Sequence, residues 1–75
     1  MFVNGYDFLR ARMRLLKLRY DDLAALTGIK RGTIQTRVED PGSLRGYEVK
    51  PFAEALHLKD EDVMKLLKGE QLEIT

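Results

Sequence analysis

Residues 20–39 read YDDLAALTGIKRGTIQTRVE, and this stretch decides the fold. Leu23, Ala24 and Leu26 give an apolar side to a short helix over residues 20–27. Its first turn carries Asp21 and Asp22, where the positive helix end favours anions. Gly28 ends it, because glycine accepts the left-handed conformation that a sharp helix exit needs. A second short helix follows over residues 30–38, with Ile29 and Ile34 inward by spacing and Arg37 and Val38 at its end. Two helices joined this tightly need a small residue where they cross, and Ala24 is placed for it. Leu23, Ile29 and Ile34 then fill the wedge between the pair and the remaining core. Lys30, Arg31, Gly32, Thr33, Gln35 and Thr36 are left on the outer face, with no large apolar side chain among them.

The flanking segments also read as helix. Upstream, residues 4–17 form a helix capped by Asn4, with Asp7 in the first turn and Leu9, Met13 and Leu16 on one face. Leu15 and Leu18 widen that face. Downstream, Asp40-Pro41-Gly42 is the strongest turn signal, and residues 43–46 continue a loop. A fourth helix covers residues 47–57, with Val49, Phe52, Ala55 and Leu56 on its apolar side. Pro51 is comfortable only in a first turn, so the regular part is expected to start near Lys50. Tyr47 and Phe52 are read as packing the loop and this helix. Asp60 is expected to cap a fifth helix that carries Val63, Met64, Leu66 and Leu67 and stops at Gly69. Met13 and Met64 are read as core fillers.

Residues 1–69 form one domain, followed by a tail over residues 70–75. In the tail Leu72 and Ile74 alternate with Gln71, Glu73 and Thr75, which suits a short extended segment. Within an all-helical domain such a strand has no obvious partner. It either pairs with a copy of itself across a two-fold axis, making a homodimer, or is a frayed end.

Composition narrows the function. The chain has 75 residues, 44% hydrophobic and 33% charged, enough for one compact core and too apolar for a disordered tail. Cysteine is absent, so no disulfide or thiolate metal site holds the fold, and a cytoplasmic location is expected. The longest apolar runs resemble Leu23-Ala24-Ala25-Leu26, so neither a membrane span nor a signal peptide is expected. With a single histidine and a single serine, Ser43, no catalytic triad can be assembled. There is no phosphate loop, and the pairs Gly28/Gly32 and Gly42/Gly46 stand alone. Asp60-Glu61-Asp62 lacks the alternating ligands and closing glutamate of a calcium loop. His57, at the end of the fourth helix, reads as structural or solvent-exposed rather than metal-binding. The expectation is a non-enzyme without catalytic residues, cofactor or metal.

Charge points to a partner. The net charge is only +1, yet residues 1–50 carry ten Lys/Arg against six Asp/Glu, and residues 51–75 carry three against six. The basic excess is densest over residues 10–19, where Arg10, Arg12, Arg14, Lys17 and Arg19 meet no acid. A polyanion would be met by the first two-thirds of the chain. The same charges also serve as solvated helix faces. Arg10 and Arg14 share one side of the first helix, whereas Arg12 projects elsewhere.

DDLAALTGIKRGTIQTRVED followed by PFAEALHLKDEDVMKLL resembles the helix-turn-helix domains of the phage repressor and Cro family. The likeness spans residues 8–68 and rests on Leu23-Ala24-x-x-x-Gly28-Ile29, Ile34, Ala53-x-x-Leu56 and Leu58. It implies an all-α, compact five-helix bundle of the lambda-repressor-like type, with the third helix as recognition helix. It also implies base contacts at Arg31, Gly32 and Thr36, flanked by Lys30, Thr33 and Gln35, and a phosphate contact at Tyr20. Arg19 stands where the family usually has a Ser or Thr cap, and Arg37 where it usually has an apolar residue.

The function expected on this basis is a small, sequence-specific DNA-binding transcriptional regulator, with double-stranded DNA as partner. Arg31 can pair with guanine and Gln35 with adenine in a major groove; each is otherwise an exposed polar side chain. The alternative is a phage antirepressor-like module that docks on a repressor or other regulator. Gly32, the low net charge and the acidic last third motivate it, and its surface would lie around Tyr47, Val49 and the tail. An RNA-binding bundle lacks exposed aromatics for base stacking.

Overall fold

The computed structural model describes residues 1–74; Thr75, the last residue of the alternating tail, lies outside the described residues. Five α-helices occupy most of the chain: α1 (Gly5–Leu16), α2 (Tyr20–Thr27), α3 (Arg31–Glu39), α4 (Gly46–Leu56) and α5 (Asp60–Lys68). A single 3-10 turn, Pro41–Ser43, joins α3 to α4. Two short strands, β1 (Phe2–Val3) and β2 (Leu72–Glu73), pair antiparallel with Phe2 opposite Glu73 and Val3 opposite Leu72. The whole measures 30 × 25 × 18 Å. Among the described residues no helix is long and apolar enough to cross a membrane.

Helix ends set the angles of the bundle. The Asn4 side chain accepts a hydrogen bond from the Asp7 amide at 2.8 Å and so opens α1 as its cap. α1, α4 and α5 all stop at a left-handed residue, Lys17, His57 and Gly69. In each, the next amide reaches back to close the last turn: Leu18 to the Met13 carbonyl, Leu58 to Ala53 and Glu70 to Lys65, all at 2.9 Å. α2 ends differently. The Gly28 amide, at φ +75°, donates to the Ala24 carbonyl, while the Leu23 carbonyl is taken by the Thr27 hydroxyl at 2.7 Å. The same hydroxyl accepts the Ile29 amide at 3.2 Å, so the chain leaves α2 abruptly and α3 begins at Arg31.

The core gathers residues from nearly every element. Phe8, Leu9 and Met13 come from α1, Leu23 from α2, Ile34 and Val38 from α3, Phe52 and Leu56 from α4, Leu66 from α5 and Leu72 from β2. Leu26, expected on the buried side of α2, is 62% exposed. The inward arc of that helix runs through Leu23, Tyr20, Thr27 and Ala24, at about 100° per residue, and leaves Leu26 beyond its edge. Leu15 and Met64, also expected to pack inward, are exposed for the same reason, and so is Tyr47.

Three boundaries differ from the sequence reading. α4 is regular from Gly46 rather than from near Lys50, although Pro51 lies in its second turn. Its first turn is held by Glu48, whose carboxylate accepts the Arg45 amide at 2.9 Å. Pro51 leaves the Tyr47 carbonyl without its helix donor, at an exposed end of the helix. Asp60 does not cap α5; Lys59 occupies that place, and Asp60, Glu61 and Asp62 instead bring negative charge to the first turn. The tail is the third difference. Its strand pairs with β1 of the same chain, the Ile74 amide donates to the Met1 carbonyl at 2.9 Å, and Leu72 is fully buried.

Candidate nucleic-acid interface

Ile34 and Val38 turn into the core and fix which side of α3 is free. Gly32 and Thr36, four residues apart, lie opposite Ile34 and are exposed. Thr33 and Gln35 flank them, half-buried, and Lys30 and Arg31 stand exposed at the N-terminal tip. The Thr36 hydroxyl donates to the Gly32 carbonyl at 3.1 Å, which leaves its oxygen lone pairs outward. Lys30 provides no side-chain cap. The first amides of α3 are therefore open, so the helix presents a positive end beside two cations.

A β-carbon built on Gly32 would meet no heavy atom within 4 Å. Nothing inside the domain requires glycine there. Gly32→Ala is expected to raise stability by up to about 1 kcal/mol, read as a higher urea midpoint at unchanged slope. An unchanged or lower midpoint would contradict this.

Around the tip the structure brings together residues distant in sequence. Arg10, Arg14, Arg19 and Arg31 surround Tyr20 in a cleft of about 360 Å³ whose apolar lining comes from Met13 and Leu18. The Arg10 guanidinium lies 5.6 Å from the centre of the Tyr20 ring and donates to its hydroxyl at 3.3 Å. The Arg31 guanidinium lies 5.8 Å from the same ring, and its Nε donates to Asp21 Oδ1 at 2.7 Å. Arg31 and Asp21 are both exposed, with 57% and 76% of their side-chain surface open. Arg12 takes no part. Its Nε donates to the Leu56 carbonyl at 2.9 Å and its Nη2 to that of His57 at 3.0 Å, closing the C-terminal end of α4.

Of the residues singled out in the sequence, Tyr20 and Arg31 share one cleft, and Lys30, Gly32, Thr33, Gln35 and Thr36 continue along α3 from it. Arg10 and Asp21 belong to the arrangement and were not singled out. Spacing places Arg10 only on one side of the first helix with Arg14, and the helix end alone accounts for Asp21 in the sequence.

Arg37 lies in the last turn of α3, as expected, and is also a largely enclosed structural cation. Its Nε donates to Glu48 Oε1 at 2.8 Å, with 13% and 3% of the two side chains exposed, and its Nη1 donates to the Ser43 hydroxyl at 3.3 Å. That hydroxyl donates in turn to the Asp40 carbonyl. Burial pushes the Glu48 carboxyl up, but the Arg45 amide and the Arg37 guanidinium outweigh it and hold the group below its ordinary value of 4.5. This network locks α3 to α4 and so holds the outer face of α3 in place.

A second concavity, about 510 Å³, lies between α1, the start of α5 and β2. Phe8, Ala11, Leu15, Leu58 and Ile74 give it apolar lining, with charges of both signs such as Lys59, Glu61 and Lys65. Among the described residues no group of three or more His, Cys, Asp or Glu is placed to hold a metal ion. No protein-family model, curated protein or solved structure matches the chain.

Proposed function

We propose that this chain is a small, sequence-specific DNA-binding regulator of the phage repressor and Cro type, with α2 and α3 acting as a helix-turn-helix. One observation carries the proposal: the exposed face of α3 is polar from end to end, and its basic tip opens onto a cleft lined by four arginines and a tyrosine. A helix with its side chains is about 10–12 Å across, which fits a major groove about 12 Å wide, and the nine residues of α3 run about 13 Å along it. In that pose Arg31, Gly32 and Thr36 face base edges, Lys30, Thr33 and Gln35 flank them, and Tyr20 with Arg10, Arg14 and Arg19 meets the sugar-phosphate backbone. The small net charge makes a single copy a weak binder at physiological salt. Two copies on two half-sites would make up the difference.

Selection from a random duplex pool, at low salt and again near physiological salt, tests this. The expected result is one short motif, or two half-sites about one helical turn apart, with the spacing reporting the symmetry of the bound protein. Binding that is salt-labile and enriches no sequence would refute it.

A second function, docking on a larger regulator as a protein-binding module, is favoured by the partly apolar concavity beside β2 and by the exposure of Tyr47. It would show itself as a stoichiometric complex that survives high salt and excludes DNA.

A further inference from the structure

We infer that Asp21 is a positioning residue for Arg31 that raises sequence discrimination while lowering general affinity for duplex DNA; this rests on the DNA-binding proposal above. A guanidinium offers two hydrogen-bonding edges, one made by Nε and an Nη, the other by the two Nη groups. Asp21 Oδ1 occupies the first edge through Nε at 2.7 Å, and the Tyr20 ring lies against the guanidinium at 5.8 Å. One edge is thereby taken. The paired Nη groups remain, and such a fork accepts guanine O6 and N7 together.

An ion pair this exposed contributes little to folding, so its consequence lies in what it does to Arg31. A free arginine at a helix tip samples many rotamers and must be immobilised on binding; one already held at Nε, with its charge near a ring, loses less. Asp21 is also an anion close to the backbone-facing cleft, where it opposes every phosphate regardless of sequence. The repulsion acts on random duplex and preferred site alike, whereas the positioning acts in the opposite sense on the preferred site alone. Arg10, near the same ring, supplies a positive charge that has no such carboxylate partner among the described residues.

The decisive measurement is the dissociation constant of the selected motif and of a random duplex, for the parent, Asp21→Asn, Arg31→Ala and the double variant. Asp21 is exposed on the first turn of α2, so the asparagine variant keeps the core, and its melting curve checks this. Asp21→Asn is expected to bind random duplex more tightly than the parent. Its motif-to-random ratio is expected to fall by about 2- to 10-fold, the effect of freeing one rotamer-rich side chain. In the Arg31→Ala background the substitution is expected to leave the ratio unchanged. Asp21→Asn that tightened motif and random duplex equally, or that lowered the ratio with Arg31 absent, would overturn the inference and leave the DNA-binding proposal standing. A parent that selected no motif would overturn both.

Discussion

Arg37→Met is expected to destabilise the domain by about 3–5 kcal/mol, because it leaves a carboxylate buried without its cation. Glu48 has 3% of its side chain exposed and, once Arg37 is gone, keeps the Arg45 amide as hydrogen-bond donor and the more distant Arg45 charge. A chain of 75 residues has a total stability of about 4–11 kcal/mol at the usual figure per residue. One substitution would therefore remove much of it, seen in urea as a large drop in midpoint. Arg37→Met combined with Glu48→Leu is expected to recover most of the loss, since an apolar pair of similar volume leaves no uncompensated charge. A single variant as stable as the parent would show that the pair carries nothing. The sign of the pH dependence follows from the same geometry. Glu48 has its carboxyl held below 4.5 in the folded state, so its contribution is complete above that value and is lost as the pH falls through the lower, folded one. Glu48→Gln should lose less stability than the parent on acidification below 4.5. Equal losses would disprove the linkage.

This pair also marks where sequence reading ends. Leu9, Met13, Leu23, Ile34, Phe52, Leu56 and Leu66 follow helical spacing and all lie in the core. Asn4 and Gly28 act at the helix ends where their chemistry places them. Arg37 stands in the last turn of α3 as its spacing predicts, but its pairing with Glu48 is invisible in the sequence, because the partner lies eleven residues away on another helix. β1 is two residues long, too short to carry an alternation, so the tail had no visible partner until the structure supplied one. Gly5 is similar: a β-carbon there would lie 3.0 Å from Pro41 Cγ and 3.1 Å from Leu66 Cδ2, a long-range approach that no local signal announces. In the candidate interface, the polar face of α3 is legible because it is what remains after Ile29 and Ile34 are assigned inward. The clustering of Arg10, Tyr20, Asp21 and Arg31 is not, since it depends on how α1 crosses the start of α2 and α3.

Arg31→Ala is the substitution expected to change binding most. If α3 enters the major groove, Arg31 loses a bidentate base contact, and affinity for the preferred site falls by about 1–3 kcal/mol, roughly 5- to 150-fold. Random duplex should be affected far less, so preference relaxes at a single base pair. Arg14→Ala serves as the contrast. Arg14 lines the same cleft from α1 and not from α3, and a phosphate contact there weakens every sequence alike and reduces the salt slope by about one. Fluorescence anisotropy titrations on both duplexes at several salt concentrations separate the two behaviours. Should Arg31→Ala instead weaken motif and random duplex equally and flatten the salt slope, Arg31 would be a backbone contact. Any sequence preference would then have to come from Thr36, Gln35 and the bare backbone at Gly32, or from the deformability of the DNA itself.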